Sequence, residues 1–66
     1  MNIILNGETR EIPDVCTAAG LIDELQLGER RVAMEVNQEI VPRSRYASHP
    51  LHENDRVEIV HAIGGG

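Results

Sequence analysis

The chain has 66 residues, a single cysteine (Cys16), eleven acidic and six basic residues, and a formal net charge of −5. That length holds one small domain, which buries only about 60% of the surface its unfolded chain exposes, so a deep catalytic cavity would compete with the core for the same side chains. One cysteine excludes an internal disulfide and a cysteine-rich zinc site, an acid excess without a basic cluster argues against a nucleic-acid backbone as partner, and the lack of an apolar run near 18 residues or of a signal-peptide pattern points to a cytoplasmic protein with no membrane association.

Met1 to Leu5 alternates, with Met1, Ile3 and Leu5 on one face and Asn2 and Ile4 on the other, which predicts a strand. Asn6-Gly7 follows, a pair that accepts positive φ at both centres of a tight turn, so Glu8 to Ile12 returns as the second strand of a hairpin until Pro13 ends its pairing. Beyond Asp14, Val15, Ala18, Ala19, Ile22, Leu25 and Leu27 recur at spacings of three and four, the apolar stripe of an amphipathic helix. Thr17 is placed to cap its first amides, Gly28 to end it in the left-handed conformation, and Gly20 to let it pack closely on a sheet. Alternation returns over Arg31 to Val36, Asn37-Gln38 makes a turn into a short strand from Glu39 to Val41, and Pro42 stops it. From Arg43 to Asn54 the chain is polar and irregular, anchored by Tyr46 and Leu51, with a helical turn expected around Ser44 to Ala47. The last strand, Arg56 to Ala62, turns Val57 and Ile59 inward and Glu58, Val60 and Ala62 outward.

This order predicts an α+β fold, a mixed sheet of about five strands with one main helix packed on one face and the first and last strands parallel at the centre. It is the ubiquitin-like β-grasp. The domain is expected to span residues 1–63, followed by a flexible glycine tail at 64–66. The uncovered face of the sheet would show Ile4, Val60 and Ala62, an apolar patch suited to docking a partner.

No set of side chains makes an enzyme. His49 and His52 lack a third ligand of suitable spacing, so no metal is expected, and His61 reads as a surface side chain near an interface. Cys16 precedes the helix, where the amides could lower its pKa, but burial as a small apolar group fits better. The pairs Asp23 with Glu24 and Glu8 with Glu11 have no pocket to perturb them. Chemistry is carried instead by Gly64-Gly65-Gly66 and the terminal carboxylate. Three residues without Cβ atoms reach about 10 Å beyond the last strand and can enter a channel closed to any other residue. A carboxylate there is ionised at neutral pH and can attack the α-phosphate of ATP. The apolar strand runs into the glycines without the polar spacer that a linker would show. All six basic residues are arginine, so an activated terminus would find no lysine on its own chain to acylate.

The block from Val36 through Asn37-Gln38-Glu39-Ile40-Val41-Pro42-Arg43, then Tyr46, and the run from Asn54 to Ile63-Gly64-Gly65-Gly66 resemble the ThiS family, the sulfur carriers of thiamine biosynthesis. The likeness spans the chain, is strongest from Val36 to Gly66 and is weak from Pro13 to Arg31. It implies that Gly66 is adenylated and then converted to a thiocarboxylate, with Gly64 and Gly65 threading partner channels. The implied partners are an adenylating enzyme of the ThiF type, which itself holds ATP, magnesium and zinc, a cysteine desulfurase as sulfur source, and thiazole synthase, ThiG, as acceptor. The chain itself is expected to bind no cofactor. The alternatives are a carrier of the same fold serving molybdopterin synthesis, cysteine synthesis or transfer-RNA thiolation, a protein-conjugating modifier, and a β-grasp interaction module that never reacts at its end.

Overall fold

A computed structural model describes residues 1–28 and 30–61 of the chain. It opens with β1 (Asn2–Leu5) and β2 (Glu8–Glu11), paired antiparallel with Leu5 opposite Glu8. Asn6 and Gly7 between them have φ of 50° and 86°, the turn whose twist matches that of the flanking strands. Helix α1 (Ala18–Glu24) starts at Thr17, whose Oγ1 accepts a hydrogen bond from the Gly20 amide at 3.1 Å. Strands β3 (Val32–Val36) and β4 (Glu39–Val41) form a second antiparallel hairpin around Asn37 and Gln38, again both at positive φ. A 3-10 turn over Arg43–Ser48 and a bend at Asn54 then lead into β5 (Arg56–His61).

The strands line up in the order β2-β1-β5-β3-β4, with β5 parallel to β1 and antiparallel to β3. The last strand therefore joins two hairpins, and the expected β-grasp architecture is the one formed. Cross-strand partners point to the same side, so the registers assign the faces. Ile3, Met34, Val36, Val41 and Val57 turn toward α1, where they meet Leu21, Ile22, Tyr46 and Leu51 in an aliphatic core without a buried charged or polar side chain among the described residues. The amide of Ala18 donates to the carbonyl of His49 and that of Leu51 to the carbonyl of Cys16, both at 2.9 Å, which ties the start of the helix to the segment behind Tyr46.

The helix departs from the expected course at both ends. Val15 lies outside it, 92% exposed, and the apolar stripe is completed by Leu21 instead, which is fully buried. The left-handed residue at the other end is Gln26, with φ of 59°, not Gly28. An amide of Leu27 donating to Ile22 at 3.0 Å closes the helix early, so the chain turns before it reaches the glycine. Gly20 faces no strand; a Cβ there would stand 3.2 Å from Cys16 Sγ and 3.6 Å from Thr17 Oγ1. The proposed boundary between a folded unit and a tail after residue 63 lies outside the described residues.

Candidate functional site

The segment that leads to the terminal glycines is β5, and its surroundings decide how firmly it is held. On one side it is paired with β3 along the run from Val36 opposite Val57 to Val32 opposite His61. On the other side β1 covers only Arg56 and Val57, because the chain turns away at Asn6-Gly7. Asn6 fills the gap with its side chain. Its Oδ1 accepts from the Ile59 amide at 2.9 Å and its Nδ2 donates to the Ile59 carbonyl at 3.2 Å, so the amide group takes the place of the missing strand. Asn37 repeats the device at the start of β5, its amide donating to the Arg56 carbonyl at 2.7 Å while its Oδ1 accepts from the Arg56 amide at 3.0 Å. Asn37 Nδ2 also donates to Asp55 Oδ1 at 3.0 Å. Sequence reasoning took both asparagines as turn formers only. Their second role needs the register of β5 against both hairpins, which no local pattern carries.

Ala62, Gly64, Gly65 and Gly66 lie outside the described residues, as does Ile63. His61 is exposed at the end of β5. Ile4 and Val60 share the face turned away from the helix, half-buried and 57% exposed respectively, but they are not neighbours. Ile4 stands opposite Arg56, four residues before Val60, a separation of about 13 Å along the strand. Directly opposite Val60 is Ala33, while Ile40, 75% exposed, lies on the same face but on β4, opposite Glu35 and one strand further from β5. Ile40 was missed. The inward turn of Val41 was the available signal, since it forces its neighbour outward.

The other reactive side chains stand apart. Cys16 is buried with Sγ 3.4 Å from the Thr17 carbonyl, and burial, aided by the Glu24 charge, pushes its thiol above the usual range, away from activation. His52 Nδ1 is 3.9 Å from Asp55 Oδ2 and is largely exposed. Among the described residues no three His, Cys, Asp or Glu side chains come together in a way that could hold a metal ion. No helix of the described residues is long and apolar enough to cross a membrane.

Comparison with known proteins adds to this geometry. The family model of ThiS matches residues 3–66. The chain is 38% identical over 63 residues to the sulfur carrier protein ThiS of Bacillus subtilis, covering 94% of this chain and 96% of that protein. Over 66 residues it is 44% identical to part of the thiazole synthase of Paramagnetospirillum magneticum, of which it spans only 20%. The crystal structure of a thiamine biosynthesis protein (ThiS) from Geobacter metallireducens matches with a TM-score of 0.87 at 25% identity, and each chain covers the whole of the other.

Proposed function

The chain belongs to the ThiS family of sulfur carriers, and we propose that it serves thiamine biosynthesis as a substrate rather than a catalyst, with the Gly66 carboxylate as the group that changes. A carboxylate resists attack because it has no leaving group. Attack of a Gly66 oxygen on the α-phosphate of ATP releases pyrophosphate and leaves an acyl-adenylate. Sulfur at the oxidation level of sulfide then bonds to the acyl carbon, the bond to the adenylate oxygen breaks, and AMP departs with the electron pair. The thiocarboxylate so formed is nucleophilic through sulfur at neutral pH and passes it on to the growing thiazole.

In this scheme ATP, magnesium and zinc belong to an adenylating partner of the ThiF type, a cysteine desulfurase supplies the sulfur as a persulfide that thiols reduce to the sulfide level while they are oxidised to a disulfide, and thiazole synthase, ThiG, receives it. The Paramagnetospirillum protein supports the last pairing, since a protein named thiazole synthase there contains a stretch similar to this whole chain. Gly64 and Gly65 would thread the partner channels. The docking face would be the outer side of the sheet, with Val60, Ala62 and Ile4 as expected from the sequence and Ala33, opposite Val60, beside them.

The observation that carries the reading is the junction of a central strand clasped on both sides with a run of three glycines, within a chain that matches ThiS from residue 3 to residue 66. The test is the intact mass after incubation with ATP, the adenylating enzyme, a desulfurase and cysteine. Exchange of one oxygen for sulfur adds about 16 Da, as expected for a covalent carrier step, and a chain lacking Gly66 should gain nothing. No gain with an enzyme active on its own carrier overturns the reading. Offering the thiocarboxylate to thiazole synthase and to molybdopterin synthase in parallel then identifies the pathway, with turnover expected only in the first.

A further inference from the structure

Asn6 stands where the parallel ladder between β1 and β5 stops. The amide of Ile4 donates to the carbonyl of Asp55 and that of Asn6 to the carbonyl of Val57, both at 2.9 Å, so these are successive rungs. The next rungs need a carbonyl to accept from the Ile59 amide and an amide to donate to the Ile59 carbonyl. The backbone of β1 does not supply them, because the chain enters its left-handed turn at Asn6 and Gly7. The Asn6 side chain supplies both, Oδ1 in place of the carbonyl and Nδ2 in place of the amide. A short carboxamide carries an acceptor and a donor side by side, and asparagine tolerates positive φ, so one residue both makes the turn and extends the ladder.

The extension matters because of where it falls. Past Val57, β5 has β3 on one side and, among the described residues, no strand on the other. Without the clasp, residues 59–61 would be the end of an edge strand held from one side, and such ends open at little cost in free energy. Ile59 packs against the core, while Val60, the next residue, is 57% exposed on the outer face. Fixing the backbone at Ile59 therefore fixes both the aim of Val60 and the position of His61, the end of β5, from which residues 62–66 continue.

We propose that Asn6 is a positioning residue for activation of the chain: by standing in for the strand that β1 does not supply, it holds the end of β5 in the arrangement that the adenylating enzyme docks. It touches none of the reacting atoms and acts through Ile59. A chain that holds this arrangement only part of the time binds more weakly in proportion, so a variant that keeps it about one-third of the time loses about threefold in apparent affinity. Once the chain is docked the enzyme itself fixes the strand, so the chemical step is unaltered. The proposal rests on the carrier reading.

The experiment has two arms, both on the full chain. In the first, amide exchange is followed residue by residue. Asn6→Gly should raise the exchange rate of Ile59 relative to Arg56 about tenfold, and Asn37→Gly, which removes the acceptor of the Arg56 amide, should shift that ratio the other way. Equal changes at both amides in Asn6→Gly overturn the proposal. In the second arm, thiocarboxylate formation is measured against carrier concentration with the ThiF-type enzyme. Asn6→Gly should raise KM about threefold or more and leave kcat within about twofold. Thr17→Ala, which lowers stability by removing the cap of α1, should leave both constants unchanged. Asn6→Asp keeps the turn and the acceptor but sets an oxygen without a proton against the Ile59 carbonyl, so it should raise KM too, and it takes the place of Asn6→Gly should that variant unfold. An unchanged KM in a folded Asn6 variant, or an equal rise in Thr17→Ala, overturns the positioning role and spares the carrier. An unaltered chain that an active enzyme never converts overturns the carrier reading itself.

Discussion

Asn6 makes a tight turn and completes a ladder with one short side chain. Glycine at this position keeps the positive φ but loses both bonds to Ile59, so Asn6→Gly should cost about 1–2 kcal/mol. Alanine adds left-handed strain, and Asn6→Ala should cost about 1 kcal/mol more. Urea unfolding midpoints check both, and a glycine variant as stable as the original chain would mean that the clasp contributes nothing. Asp14 offers a test by pH. Its Oδ1 accepts from the Met1 amine at 2.6 Å, and that hydrogen bond holds the carboxyl below its ordinary 3.8 and the amine above its ordinary 8.0. The depressed carboxyl contributes stability that is complete above pH 4–5 and lost as pH falls through its folded value. The raised amine contributes stability that is complete below pH 8 and lost as pH rises through its folded value. The stability difference between the chain and its Asp14→Asn variant should therefore be widest between about pH 5 and 7 and shrink on either side. A difference independent of pH would exclude the ion pair as its cause.

At the scale of elements, α1 carries a testable conflict between propensity and packing. Alanine in a helix interior is favoured over glycine by about 1 kcal/mol, yet a Cβ on Gly20 would press on Cys16 Sγ at 3.2 Å. Gly20→Ala should leave stability within about 0.5 kcal/mol of the original, and the full gain of about 1 kcal/mol should appear once Cys16→Ala makes room. Additive thermal shifts in the double variant would exclude this contact. The same helix marks the limit of what sequence could tell. The hairpin turns at Asn6-Gly7 and Asn37-Gln38, the cap at Thr17, and the anchors Tyr46 and Leu51 were legible because each is fixed by residues within a few positions of one another. The helix end at Gln26, the contact of Gly20 with Cys16 and the exposure of Val15 were not, because they depend on where the 43–51 segment lies against α1. On β5 the inward and outward alternation was plain, whereas the asparagine clasps are products of pairing between distant segments.

For the whole molecule, the sheet has one face spent on the core, and the other is the face we propose for docking. Val60 makes no part of the core, so Val60→Arg should alter unfolding free energy by no more than about 0.5 kcal/mol while weakening capture by the adenylating enzyme at least tenfold. Ile4→Arg, about 13 Å away along β5, should weaken it less, and equal losses from both would extend the docking surface across the whole face. The strand order has a further consequence, for synthesis. The β1–β2 and β3–β4 hairpins are made first, but each is a pair of strands with little stability alone, and no ladder joins them until residues 56–61 arrive. A chain broken off before β5 leaves two unattached ribbons for proteases to remove. Folding is thus a check on translation: a molecule that survives has been read at least to β5.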